Sequence, residues 1–124
     1  MSAQFPDGRT AFVTGSTSGI GLAIAKALGA AGARVAVHGL ASEAEAKAAT
    51  DAVTQAGAPE ARFFDGDLRD VSAIDALMGE LAEWGPVDVL VNCAGVQKTV
   101  SIKDADAATW DLVIGVNLSA AFHT

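Results

Sequence analysis

Short apolar runs alternate along the chain with longer stretches in which apolar residues recur every three or four positions. The run Thr10–Thr14 ends at a glycine-rich turn, after which Ile20 and Ile24 lie four residues apart. A short closed run is typical of a buried strand, and a four-residue recurrence is typical of a helix with one apolar face. Gly32 stands where a left-handed residue would end that helix, and Val35–Val37 forms the next apolar run. This order predicts a βαβ unit.

The alternation continues through the rest of the chain. Ser42 and Glu45 have the spacing of a capping box, in which the serine accepts from the glutamate N–H and the glutamate reaches back to the serine amide. They predict a helix that runs to about Ala56. The elements predicted after it are a strand over Ala61–Asp65, a helix ending near Trp84, a strand over Val87–Asn92 and a helix from near Thr109 to the end of the chain.

Strands that alternate with helices of this length predict the α/β class, with a doubly wound parallel sheet and right-handed crossovers. In such a sheet a ligand crevice lies at the carboxyl ends of the strands. The run Val87–Asn92 is apolar enough to be buried on both faces of the sheet. Because a sheet of this kind normally continues to a fifth strand, we expect it to be truncated here after about four strands.

A glycine-rich segment, Thr14–Gly21, lies between the first predicted strand and the first predicted helix. Glycine lets a backbone turn sharply and approach a pyrophosphate closely, and a helix start supplies N–H donors and a positive dipole end. Three glycines at a fixed spacing are weak support by themselves, but their position after a strand and before a helix strengthens the interpretation. The segment therefore predicts a dinucleotide-binding turn.

Composition narrows the function classes. Hydrophobic residues make up 51% of the 124 residues and charged residues 19%, which excludes an intrinsically disordered chain. Asp and Glu total 15 against 8 Lys and Arg, a net charge of −7, which argues against nucleic acid and anionic membranes as partners. The single cysteine, Cys93, excludes an internal disulfide, and the first nine residues lack the apolar core of a signal peptide. We expect a cytoplasmic protein without a bound metal.

The spacing G-x-x-x-G-x-G after Thr14 resembles the short-chain dehydrogenase/reductase family. Asp67-Leu68 resembles the family's adenine-contacting pair, Asn92-Cys93-Ala94-Gly95 its N-N-A-G segment, and Val116-Asn117-Leu118 its active-site asparagine helix. The resemblance implies that residues 1–124 are the N-terminal, NAD-binding part of a single Rossmann-type domain. By this resemblance the cofactor-binding residues are Gly15, Thr17, Ser18, Gly19, Ile20, Gly21, Leu40, Asp67, Leu68, Asn92, Ala94, Gly95 and Val116.

Two further residues take roles from the same resemblance. Asn117 matches the asparagine that bends its helix and holds a water in the proton relay, so it is the catalytic candidate. Its place on one helical stripe with Trp110 predicts an amide on an otherwise apolar face, where it needs hydrogen-bond partners. Gln97 follows Ala94-Gly95-Val96 as in the family's 3-hydroxybutyrate dehydrogenases, where this glutamine helps to hold the substrate carboxylate. Cys93 replaces the second asparagine of the family segment and cannot supply an amide's hydrogen bonds.

Charge at the second strand end bears on the cofactor. NADP needs a cation for its 2′-phosphate, but the strand ends in His38-Gly39-Leu40, and Ser18 stands where NADP users of the family often have arginine. The aspartate that would be positive evidence for NAD is also missing from the strand end. The preference for NAD over NADP therefore depends on the absence of a cation for the 2′-phosphate and on the resemblance. Leu40 is expected on the adenine side, and His38 is interpreted as a structural residue.

The sequence contains no tyrosine. The family uses a tyrosine as acid or base, a lysine that lowers its pKa and a serine that orients the carbonyl, all beyond the asparagine helix. We therefore expect the 124 residues alone to be inactive, although the family exchanges a hydride between the nicotinamide and carbonyl or alcohol groups. The likeness to 3-hydroxybutyrate dehydrogenases implies 3-hydroxybutyrate and acetoacetate as the substrate pair. Two alternatives stay open: an NADPH-dependent reductase of the 3-oxoacyl type and a non-catalytic nucleotide-binding module. Relatives pair through the helix near Trp110, which implies a homo-oligomer.

Overall fold

The computed structural model of the protein describes residues 6–124. The expectation that the first nine residues lack a signal peptide falls in part on residues 1–5, which lie outside the described range. Within that range four parallel strands form one sheet in the order β3-β2-β1-β4. The strands are β1 (Thr10–Val13), β2 (Arg34–His38), β3 (Ala61–Phe64) and β4 (Val89–Val91). The helices are α1 (Gly19–Ala30), α2 (Glu43–Ala56), α3 (Val71–Trp84), α4 (Ala107–Ile114) and α5 (Ala120–His123), with a π-helical turn (Gly115–Ser119) between α4 and α5.

The two faces of the sheet are covered by different helices. Side chains alternate along a strand, so Ala11 and Val13 of β1 pack in one apolar cluster and Phe12 in the other. The first cluster contains Ala25 of α1 and Val53 of α2. The second contains residues of α3 and α5, namely Ile74, Leu77, Leu81 and Ala120. The prediction of a doubly wound, Rossmann-type α/β sheet is confirmed.

The capping box at the start of α2 is present with one difference. The Ser42 Oγ accepts from the Glu45 N–H at 3.2 Å, as predicted. The glutamate carboxylate, however, accepts from the Ser42 hydroxyl at 3.0 Å instead of from the serine amide. A hydroxyl both donates and accepts, so one serine oxygen satisfies both interactions. At the end of α1, Gly32 has a φ of +102°, which confirms the predicted left-handed residue.

The fourth strand differs from its prediction. It covers Val89–Val91 rather than Val87–Asn92, and Leu90 is 41% exposed rather than buried on both faces. The reason is its place in the sheet, since among the described residues β4 pairs with β1 alone and forms an edge. Apolar character predicted a strand correctly, but it did not predict which neighbours would cover that strand.

The last predicted helix is not continuous. It begins at Ala107, earlier than predicted, because the Asp106 carboxylate caps it by accepting from the Thr109 N–H at 2.8 Å. The π-helical turn then adds a residue to one turn and rotates every later side chain relative to α4. The predicted apolar stripe is wrong: Trp110, which precedes the turn, is 67% exposed, and Asn117 lies in the π-helical turn and is itself exposed.

Candidate functional site

A cavity of about 510 Å³ opens at the carboxyl ends of the strands, in the size range of small-molecule sites. It lies where β1 separates β2 from β4, the point at which the chain reverses its direction of travel across the sheet. The loops after all four strands contribute, together with α4 and the π-helical turn. Its lining residues are Gly15, Thr17, Ser18, Ile20, Gly21, His38, Gly39, Leu40, Gly66, Asp67, Leu68, Arg69, Cys93, Ala94, Gly95, Val96, Leu112 and Val116.

Two glycines allow the loop after β1 to pack closely on its neighbours. Gly15 has a φ of +60°, and a Cβ there would lie 2.8 Å from the Ala94 Cα in the loop after β4. A Cβ on Gly21, in the first turn of α1, would lie 2.1 Å from the Gly15 carbonyl oxygen. The start of α1 is thus pressed against the loop backbone. This contact brings the N-terminal end of the helix, which favours anions, to the mouth of the cavity.

The hydroxyl of Thr14 joins the loop after β4 to β1. Thr14 is 2% exposed, and its Oγ1 accepts from the N–H groups of Cys93 and Ala94, each at 3.0 Å. Its own N–H donates to the Val91 carbonyl at 3.0 Å. The segment that resembles N-N-A-G is therefore anchored by one threonine side chain.

His38 is buried beneath the same cavity. Its Nδ1 accepts from the Gly15 N–H at 3.1 Å, and its Nε2 lies 2.8 Å from the Gly66 carbonyl oxygen, so Nε2 carries the proton. Burial lowers the pKa of His38, opposed by the Gly66 hydrogen bond and by the charge of Asp65. His38 is thus a buried residue whose ring connects two loops of the cavity.

The residue after β2, Gly39, packs against the Thr17 side chain. A Cβ on Gly39 would lie 2.7 Å from the Thr17 Oγ1 and 2.9 Å from its Cγ2. The Thr17 side chain thus occupies the space that a side chain at position 39 would need. Leu40 follows with its side chain 67% exposed at the cavity wall.

The loop after β3 carries a charged pair. The Arg69 guanidinium and its backbone N–H donate to the Asp67 carboxylate at distances from 2.6 to 3.1 Å. These hydrogen bonds lower the pKa of Asp67 to about 2. Arg69 is the only Lys or Arg among the cavity-lining residues of the described chain. Leu68, between the two, is 7% exposed and packs in the apolar cluster that contains Phe12 and the α3 residues.

A second, more open cavity of about 540 Å³ adjoins the first. Gly95 and Val96 line both cavities, and the second is also lined by Gln97 and Asn117. The Asn117 amide pairs with the backbone of Val96: Oδ1 accepts from its N–H at 2.7 Å, and Nδ2 donates to its carbonyl at 2.8 Å. Asn117 thus has the partners that its amide requires, in a place that fixes the segment between the two cavities.

Of the predicted cofactor-binding residues, all but Gly19 and Asn92 line the first cavity. The Asn92 side chain instead accepts from the Thr124 hydroxyl at 2.8 Å and lines a small separate cavity of about 60 Å³. Several further lining residues lie just after a strand, and that position could have indicated them. Leu112 could have been indicated by its place one helical turn before Val116, on the same side of the predicted helix. The lining residues that the sequence did not indicate are His38, Gly39, Gly66, Arg69, Cys93, Val96 and Leu112.

Within residues 6–124, no helix combines the length and apolar character that a membrane crossing requires. The same residues hold no group of three His, Cys, Asp or Glu side chains placed to bind a metal ion. Cys93 is a free, half-buried thiol at the cavity wall.

The sheet order and the crevice at its carboxyl edge define a Rossmann-type α/β protein. Residues 9–124 match the family described as short chain dehydrogenase, and the chain belongs to that family. It is 42% identical over 120 residues to a D-beta-hydroxybutyrate dehydrogenase of Cupriavidus necator, covering 95% of this chain and 45% of that protein. The chain therefore spans about half the length of the curated relatives it matches.

Solved structures agree with this assignment. A dehydrogenase/reductase from Sinorhizobium meliloti 1021 superposes with a TM-score of 0.88 at 39% identity, covering 94% of this chain and 46% of that one. A 3-oxoacyl (acyl-carrier-protein) reductase from Agrobacterium tumefaciens, with NADP bound, gives a TM-score of 0.86 at 33% identity over 94% and 45% of the two chains. The family and the fold of the chain are thereby established.

Proposed function

We propose that residues 1–124 form the NAD-binding part of an oxidoreductase that acts on a small hydroxy acid, with 3-hydroxybutyrate and acetoacetate as the candidate substrate pair. The observation that carries the proposal is the first cavity, in which the glycine-rich segment and the loops after β2, β3 and β4 converge. When bound, the nicotinamide of the cofactor exchanges a hydride with the substrate.

The close contact of Gly21 with the Gly15 carbonyl supports a pyrophosphate site at the start of α1. Leu40, Asp67 and Leu68 would hold the adenine side, and Ala94 and Gly95 the ribose side, as the family resemblance implies. All five residues line the first cavity. The chain's own contribution is to hold these groups in place and to exclude water from the crevice.

Charge favours NAD over NADP in this proposal. A 2′-phosphate needs a cation, and Arg69, the cation at the cavity wall, is already engaged by Asp67. Thr17 and Leu40 present a hydroxyl and an apolar side chain to the other part of the wall. Binding NADP would remove water from its 2′-phosphate, and no cation at the cavity wall is free of a carboxylate partner to compensate for that cost.

The second cavity is the proposed substrate site, because it shares Gly95 and Val96 with the first. Gln97 would hold a substrate carboxylate there, and Asn117 would orient a water in the proton relay. Catalysis also requires an acid or base near the substrate oxygen, and the 124 residues contain no tyrosine to supply it.

We expect the 124-residue chain to bind NADH and to show no NAD-linked oxidation of D-3-hydroxybutyrate. Loss of a positioned acid or base removes a factor of about 10² to 10⁴ from the rate. Binding is measured by calorimetric titration of NADH and NADPH side by side, and turnover by absorbance at the NADH wavelength. NADH is expected to bind more tightly than NADPH.

The alternatives have distinct outcomes in the same experiment. Tighter binding of NADPH would favour a reductase of the 3-oxoacyl type, for which the NADP-bound neighbour is the supporting observation. Binding of neither dinucleotide would overturn the proposal and favour a non-catalytic module. Turnover by the isolated chain would show that another group replaces the missing tyrosine.

We also propose that the chain self-associates through α4 and the segment that follows it. Trp110, Leu118 and Phe122 are 67%, 64% and 86% exposed, so α4 and the segment after it leave three large apolar side chains uncovered. Light scattering coupled to size exclusion is expected to give a mass of at least twice the 12.5 kDa of one chain. A monodisperse mass of one chain at tens of micromolar would contradict this proposal.

A further inference from the structure

We infer that His38 is a positioning residue for the dinucleotide, a strut that sets the separation between the glycine-rich segment and the loop after β3. The inference rests on the proposed function, since it assigns a role in binding that same cofactor. Gly15 lies in the glycine-rich segment, and Gly66 lies in the loop after β3 that contains Asp67 and Leu68. These two glycines line the same cavity and are both bonded to one imidazole ring.

The ring has little freedom to move. It is held at one nitrogen by the Gly15 N–H and at the other by the Gly66 carbonyl, and the Phe12 ring lies nearly perpendicular to it with the two ring centres 6.0 Å apart. The backbone of His38 is also tied to Ser16: its N–H donates to the Ser16 Oγ at 2.9 Å, and its carbonyl accepts from the Ser16 N–H at 2.7 Å. Side chain and backbone therefore fix the segment together.

Only the neutral ring with its proton on Nε2 makes both hydrogen bonds. A proton on Nδ1 would face the Gly15 N–H, so that donor would lose its acceptor. Burial disfavours the charged ring and keeps this form populated, although Asp65 acts in the opposite direction. The strut thus consists of one acceptor and one donor at opposite sides of a rigid plane.

A dinucleotide would span the two loops that the ring connects. The proposed pyrophosphate site is at the start of α1, and the proposed adenine site is at Asp67 and Leu68. If the two loops are already held at the correct separation before binding, no conformational entropy is lost in ordering them when the ligand binds, and the affinity is higher. Removing the strut is therefore expected to weaken NADH binding because the two loops lose their fixed separation, and because the ring is also part of the cavity lining.

The test compares three variants by NADH titration. His38→Phe keeps a ring of similar shape and removes both hydrogen bonds, and His38→Asn retains an acceptor but is too short to reach Gly66. Each is expected to raise the Kd for NADH at least about tenfold, the factor that corresponds to roughly one net hydrogen bond, since Asn loses one of the two bonds and Phe loses both. His38→Gln carries a donor that reaches about as far as Nε2, so it is expected to keep the Gly66 hydrogen bond and to give a Kd between those of wild type and His38→Phe.

The control is His123→Gln, the same substitution at the other histidine, which lies on α5 and outside the lining of the first cavity. It is expected to leave the Kd unchanged. If His38→Phe fails to fold in thermal melts, His38→Asn decides the question alone. Wild-type affinity in either His38→Phe or His38→Asn would overturn the inference.

A measurement without ligand separates this inference from the proposed function. Nitrogen-15 NMR of the unliganded chain at pH 7.5 is expected to show His38 with Nε2 protonated and Nδ1 bare. The opposite tautomer would overturn the strut even if NADH binds. Failure of the wild type to bind either dinucleotide overturns the proposed function, and with it the positioning role, while the NMR result still reports whether the two loops are connected as described.

Discussion

Gly21→Ala is expected to abolish NADH binding and to lower the free energy of unfolding by about 3 kcal/mol, the upper part of the range for overpacking. The new Cβ would lie 2.1 Å from the Gly15 oxygen, 2.8 Å from the Gly15 carbonyl carbon and 3.0 Å from the Ser16 Cα. All three are backbone atoms, so no side-chain rotation relieves the contact. The start of α1 must move away from the loop, and the proposed pyrophosphate site opens.

Gly79→Ala is the matched control for that variant, with the same chemical change on a helix. Gly79 lies in the interior of α3, and a Cβ there meets no atom within 4 Å. Alanine is expected to stabilise the chain by about 0.5–1 kcal/mol, because glycine loses more backbone entropy in a helix. Urea unfolding and NADH titration measure both variants, and equal stability of the two would show that the contact of α1 with the loop is not tight.

Thr14→Val is expected to cost about 2–4 kcal/mol of stability although it keeps the shape of the side chain. The variant removes the oxygen that accepts from the N–H groups of Cys93 and Ala94. Each donor left without a partner away from water costs about 1–3 kcal/mol. Position 14 is 2% exposed, so water cannot easily replace the hydroxyl. The loss appears in the urea midpoint.

Thr14→Ser separates the hydroxyl from the methyl group. It keeps the acceptor and removes one carbon, so we expect a loss of about 1 kcal/mol and NADH affinity close to wild type. Chemical denaturation of the three proteins under one condition is the measurement. If valine is tolerated as well as serine, the two hydrogen bonds contribute nothing, and the anchoring of the loop after β4 must come from other contacts.

Much of the fold was predictable because its determinants are local. The periodicity of Ile20 and Ile24, the serine at position 42 and the glycine at position 32 each act within a few residues of the element they define. The crevice followed from topology, since parallel strands place their carboxyl ends at one edge. Gly15 and Gly21, which the sequence places between a strand and a helix, line the first cavity.

The missed features depend on residues far apart in sequence. His38 binds backbone groups 23 and 28 residues away, and no side-chain pattern indicates a backbone partner. The exposure of Leu90 depends on which strands pair with β4, and apolar character alone does not specify that pairing. The Asn117 side chain, in the π-helical turn, hydrogen-bonds to the backbone of Val96, 21 residues earlier.

The position of β1 in the centre of the sheet also affects the order in which the chain can assemble. Thr10 meets Arg34 across 24 residues of chain and Asp88 across 78. Closing the longer loop costs about 1 kcal/mol more in chain entropy. The half of the sheet that carries the proposed adenine site is therefore closed by shorter loops, whereas the junction with β4 has the larger entropic cost. A ligand that contacts both the β2–β3 side and the β4 side of the sheet would stabilise the pairing of β1 with β4. Ligand binding and the stability of that pairing are therefore linked.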